Sequence, residues 1–136
     1  MANMAVKLVS QFFESKGIKP TELGDDLLRI GFNFEGGTIE IFFQFDETDT
    51  HVHLRGMNFI KVPTNKYDVM YKILNECNAK YNYVKFVLNI KDGQINVRDD
   101  DVIQLDSCGL ECFELMLRMV TIVEEVYPEF MKVMWA

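Results

Sequence analysis

From Leu28 to Phe45 apolar side chains recur at every second position: Leu28, Ile30, Phe32 and Phe34, then Ile39, Ile41, Phe43 and Phe45, with Gly36-Gly37 between them. A period of two places such residues on one face of a pleated strand, whereas a helical face repeats every 3.6 residues. Two glycines accept positive φ without a Cβ clash, so the pair predicts a two-residue hairpin turn. After the loop Asp46 to Thr50 the alternation resumes, with Val52 and Leu54 set against His51, His53 and Arg55. The pattern predicts a three-stranded antiparallel meander.

On either side of the meander the period becomes helical. Within Met4 to Lys16, Leu8 and Phe12, like Val9 and Phe13, stand four apart, and Gly17 is placed to close the helix in a left-handed conformation. Pro20 prevents continuation, and Thr21 to Asp26 reads as a connecting loop. Pro63 ends the meander, Thr64 is a candidate N-cap, and Tyr67, Met70, Ile73, Leu74, Cys77 and Tyr81 fall at the spacing of a second helix. Val84, Phe86, Leu88 and Ile90 then alternate, Asp92-Gly93 signals a type I′ turn, and Ile95 and Val97 mark a returning strand. The last helix, Leu110 to Tyr127, carries two apolar rows. One is Phe113, Leu117, Val120 and Val123; the other is Cys112, Leu115, Met119, Ile122 and Val126. Pro128 starts a tail containing Phe130, Met131, Val133, Met134 and Trp135. The expected architecture is one α+β domain over residues 1–136, in the order α-βββ-α-ββ-α. Its antiparallel five-stranded sheet, the three-stranded meander plus the C-terminal hairpin, has helices packed on one face.

Composition narrows the function. A net charge of −7 repels phosphate backbones and anionic headgroups, which disfavours nucleic acid and membrane surfaces as partners. No run of about twenty apolar residues is present, and Met1 to Gln11 does not have the pattern of a signal peptide. Three cysteines without secretory context fit a reducing compartment, so the expected location is the cytoplasm.

Few residues form a pattern with chemistry. His51 and His53 share a strand face about 7 Å apart, with Asp46 and Asp49 in the preceding loop, which sketches a metal site. A half-buried strand requires two polar residues there in any case, and no CxxC or HxxxH accompanies them. Cys108 and Cys112 face each other only if the last helix starts before Gly109, and Gly109 reads as a boundary; Cys112 is then a small core residue. Asp99-Asp100-Asp101 lacks the spacing of a calcium loop and reads as a solvated strand end. No nucleophile elbow or phosphate cradle occurs, so no catalytic residue, cofactor or metal is expected.

Surplus apolar surface points instead to binding. Phe42 lies between Glu40 and Gln44 on the face away from the helices, and Met57 and Phe59 join it if the third strand keeps its period past Gly56; a β-bulge at Gly56 returns both to the core. The second row of the last helix needs its own cover, from the first helix, the tail or a second subunit. The candidate interface is therefore Phe42, Met57, Phe59, Cys112, Leu115, Met119, Ile122 and Trp135. The reading is a non-catalytic protein-binding module, with another protein or a second copy as partner. The alternative is a small metal-dependent sensor or enzyme using His51, His53 and nearby acids.

Leu74-Asn75-Glu76-Cys77-Asn78 closing a helix, Tyr83-Val84-Lys85-Phe86 opening a strand, and Asp92-Gly93 between strands resemble the core signature of the YbjN-domain family of bacterial proteins. The likeness covers Pro63 to Tyr127; before that only the order of elements agrees. The resemblance implies a fold similar to type III secretion chaperones and a regulatory role in sensory transduction. It implies no catalytic residues.

Overall fold

The computed structural model describes residues 3–136. The order is α1 (Met4–Ser15), β1 (Thr21–Glu22), β2 (Leu27–Phe34), β3 (Gly37–Phe45), β4 (His51–Lys61), a 3-10 turn (Thr64–Lys66), α2 (Tyr67–Lys80), β5 (Lys85–Asn89), β6 (Gln94–Val102) and α3 (Cys108–Trp135). The antiparallel sheet has six strands, ordered β1-β2-β3-β4-β6-β5. The sixth is β1, within the segment expected to be a loop. Thr21 and Glu22 pair with Arg29 and Leu28, and a two-residue polar strand has no alternation to reveal it.

The turns also differ from expectation. Phe34 pairs with Gly37, so Glu35-Gly36 forms the first hairpin loop. Asn89 pairs with Gln94, so the second loop is Ile90 to Gly93, and Ile90 is exposed in it. The irregularity in β4 falls between Gly56 and Ile60, where Asn58 takes a φ of 55°, a conformation that asparagine tolerates well. Met57 therefore stays on the open face, paired with Glu40, while Phe59 turns into the core. Gly56 itself faces inward; a Cβ there would lie 2.6 Å from Ile39 Cδ1 and 3.0 Å from Val97 Cβ.

All three helices pack against the face bearing Phe43, Phe45 and Phe86. Phe13 of α1 meets Phe43 edge to face at 5.6 Å, and Phe130 of α3 meets Phe86 at 5.3 Å. Each such fully buried aromatic contributes about 1.5–3 kcal/mol through area removed from water. At the free edge of the sheet Asn78 of α2 acts as a surrogate strand. Its Nδ2 donates to the Phe86 carbonyl at 2.9 Å, and its Oδ1 accepts from the Phe86 N–H at 2.7 Å.

The last helix is longer at both ends than expected. It begins at Cys108, and Gly109 lies within its first turn as the point where α1 passes, since a Cβ there would come within 2.5 Å of Phe12 Cβ. It continues through Pro128 to Trp135 instead of giving way to a tail. Proline removes one backbone hydrogen bond at a cost of about 3 kcal/mol, but both Pro128 and Glu124, the residue whose carbonyl loses its donor, are exposed to water. Continuation carries Phe130 into full burial against Phe59 and Phe86.

Candidate functional site

The pleat that buries Leu28, Ile41, Phe43, Val52 and Leu54 directs the alternate residues of β2, β3, β4 and β6 to the face that, among the described residues, no helix covers. Register aligns them in rows. Arg29 stands opposite Phe42, Phe42 opposite Arg55, Arg55 opposite Arg98, and Arg98 opposite Lys85. Phe42 and Met57 are half-buried there, and Arg98 is exposed.

Asp100 organises the next row. Its Oδ1 accepts from the Arg55 guanidinium at 2.7 Å and pairs with His53 Nδ1 at 2.8 Å. Burial raises the Asp100 pKa, yet these two bonds outweigh it and hold the carboxyl below its ordinary value. His51 is engaged elsewhere, 3.3 Å from Asp46. Asp46 also accepts from the Thr48 hydroxyl and from the backbone N–H groups of Thr50 and His51; the Thr48 bond leads in holding it well below the usual carboxylate range. Asp49 turns away to cap α1, accepting from the Ala5 N–H at 3.1 Å. His51 with Asp46, His53 with Asp100, and Asp49 with the start of α1 thus form three separate groups, and among the described residues no three His, Cys, Asp or Glu side chains come together as a metal site.

The cysteines are interior. Cys108 and Cys112 both occupy the first turns of α3, Cys77 lies on α2, and all three are free and buried, which pushes their thiol pKa values up and keeps them protonated.

The expected interface divides. Phe59, Cys112, Leu115 and Met119 are buried within the chain, Ile122, Phe42 and Met57 are half-buried, and Trp135 is 79% exposed. The second row of α3 is covered within its own chain, since Cys112, Leu115, Met119 and Val126 are all buried; α1 meets the first row, where Phe12 and Phe13 stand beside Phe113, and the sheet supplies Phe59 and Phe86 beside Phe130. Met119 and Cys112 accordingly contribute to the core, and Trp135 does not fold back over them.

Two features carried no signal in the sequence. Asp99, expected in a solvated strand end, is 2% exposed and accepts from Arg118 at 2.7 Å, while Asp101 lies 3.8 Å from the same guanidinium. Arg118 also stacks 4.4 Å from the Tyr83 ring, and a cavity of about 200 Å³ opens beside it, lined by Asp101, Glu111, Glu114 and Leu115. Desolvation first, and then the neighbouring Asp99, push Asp101 up to about 7. The second feature is an apolar groove between α1 and α3, lined by Leu8, Phe12, Leu105 and Leu110, with exposed Leu117 further along α3. Among the described residues no helix is long and apolar enough to cross a membrane.

Comparison with known proteins agrees with this architecture. The model of the YbjN family, described as "Putative bacterial sensory transduction regulator", matches residues 5–130. No match is found among curated proteins. Among solved structures the chain is similar to YbjN from E. coli, with a TM-score of 0.64 and 16% identity over 91% of this chain and 92% of that one. It is similar to a chain of the ExsC–ExsE complex, with a TM-score of 0.59 and 16% identity over 93% and 94% of the two chains. A chain of the HopA1–SchA chaperone–effector complex gives 0.51 and 15% identity over 89% and 94%. The fold is thus shared with type III secretion chaperones, as the resemblance implied. With the family model spanning nearly the whole sequence, the chain belongs to the YbjN family.

Proposed function

We propose that this chain is a non-catalytic protein-binding module, a regulator or chaperone-like adaptor in bacterial signalling, that takes a partner protein on the open face of its sheet. The observation that carries this reading is that face itself, which no helix covers and which holds Phe42 and Met57 among charged side chains. The edges of the sheet suit a partner less well: β1 is two polar residues long, and Asn78 already satisfies the Phe86 backbone on β5. Two proteins of similar fold were solved in complexes, one of them chaperone with effector, which supports a partner here by analogy of fold. Residues 1–136 are read as one domain, and the protonated, unpaired thiols suit the cytoplasm.

A photo-crosslinking residue placed at Phe42 or Met57 in cells tests the reading, with Thr121 on the outer side of α3 as control. The expected result is an adduct with another polypeptide from the sheet positions and none from Thr121. Adducts from Thr121 alone would remove the sheet face as the binding surface.

A further inference from the structure

The row across the open face has an unusual charge for this chain. Five neighbouring strands contribute one residue each, Arg29, Phe42, Arg55, Arg98 and Lys85, so every member but the aromatic is cationic in a chain of net charge −7. Arg55 and Arg98 stand directly opposite one another, an arrangement that weakens a sheet unless something neutralises it. Neutralisation is uneven. Arg55 is held by Asp100, Arg29 reaches Glu40 only at 3.9 Å, and Lys85 turns to the carbonyls of Asn78 and Tyr81 at the end of α2. The Arg98 guanidinium, on an exposed side chain, has no hydrogen bond or ion pair among the described residues.

We infer that this row receives an extended acidic segment of the partner protein, its carboxylates on Arg29, Arg55 and Arg98 and an apolar side chain on Phe42. The inference rests on the binding face proposed above and adds the chemistry of what binds there. Strand spacing makes the row about 19 Å long, which about six extended residues span. Charge complementarity favours a short acidic segment over nucleic acid. Fields are screened within about 8 Å at physiological salt, so a short segment meets the local cations, whereas a long polyanion also meets the surrounding acidic surface.

The test is fluorescence anisotropy with three labelled peptides that alternate Leu with Glu, with Gln or with Lys, and with a labelled single-stranded oligonucleotide. The Glu peptide should bind tightest and weaken as salt rises. Arg98→Glu, which breaks no side-chain hydrogen bond or ion pair within the fold, should weaken it by at least about fivefold, the worth of one exposed ion pair, and should improve the Lys peptide. A Gln peptide that binds as tightly as the Glu peptide and is lost in Phe42→Ser would overturn the acidic partner while leaving the binding face in place. Indifference to Arg98→Glu, tighter binding of the oligonucleotide, or no binding of any peptide would overturn the inference as well. The crosslinks at Phe42 decide the face independently of all these outcomes.

Discussion

Replacing Asp101 with Asn should make the protein more stable at neutral pH and leave it nearly unchanged in mild acid. Asp99 and Asp101 project from the same face of β6 towards α3, where Arg118 is the cation that both approach and Glu111 and Glu114 add negative charge along the cavity. Asp100, between them in sequence, faces the other way, towards His53 and Arg55. Burial and the Asp99 carboxylate raise Asp101 from the ordinary 3.8 to about 7. Between those values the unfolded chain has lost the proton and the folded chain keeps it, so folding takes up a proton and stability falls as pH rises through the window. The contribution is fully present below about pH 4 and lost above about pH 7. The full displacement sets a ceiling of roughly 4 kcal/mol. The side chain keeps 25% of its exposure, and screening by water brings the expected loss to about 1–2 kcal/mol. Asn keeps the shape and cannot ionise, so the stability difference between variant and wild type should be near zero at about pH 4 and reach about 1–2 kcal/mol in favour of the variant at about pH 8. Urea unfolding followed by far-ultraviolet circular dichroism measures it; Trp135, at 79% exposure, is a poor fluorescent reporter. A difference that is constant with pH, or largest at the acid end, would refute the account.

Three further outcomes are expected. Asn78→Ala should cost about 1–3 kcal/mol, because two hydrogen bonds to the Phe86 backbone disappear; urea midpoints check this, and an unchanged midpoint would show that the amide does not hold the edge. Phe86→Ala should cost about 3–5 kcal/mol by leaving a cavity against Phe130, whereas Phe42→Ser on the open face should stay within about 1 kcal/mol; equal losses from the two would mean that the strand faces are misassigned. Met119→Glu should unfold the chain, since Met119 is fully buried, while Leu117→Glu on the exposed side should leave it folded; a well-folded Met119→Glu protein by circular dichroism would contradict the packing of α3.

Much of the fold was legible from local pattern. Alternation from Leu28 to Phe45 reports which side chains a pleated strand can bury, and that depends only on neighbours in sequence. The spacing of Val9 with Phe13 and of Met70, Leu74 and Cys77 does the same for helices. Signals that depend on partners far along the chain were lost. Gly109 reads as a helix boundary until Phe12 arrives beside it, and Pro128 reads as an end until the burial of Phe130 offsets its missing hydrogen bond. The site followed the same division. Phe42 was assigned to the open face by its place between Glu40 and Gln44, whereas Met57 and Phe59 were left together on whether a bulge at Gly56 interrupts β4; the left-handed turn falls at Asn58 instead and separates them, burying Phe59 and leaving Met57 on the open face.

Sequence by itself determined which residues can share a face, because that follows from the period of the backbone. Tertiary structure alone decided which faces meet. That β6, and not β5, lies beside β4 is a choice among strand pairings of similar local pattern, settled by how α2 crosses over and how the whole core packs. From that one choice come both the cationic row, which needs Arg98 next to Arg55, and the placing of Asp99 and Asp101 under Arg118. Charges far apart in sequence have no period to announce them; they acquire a function only when register brings them within reach of one another.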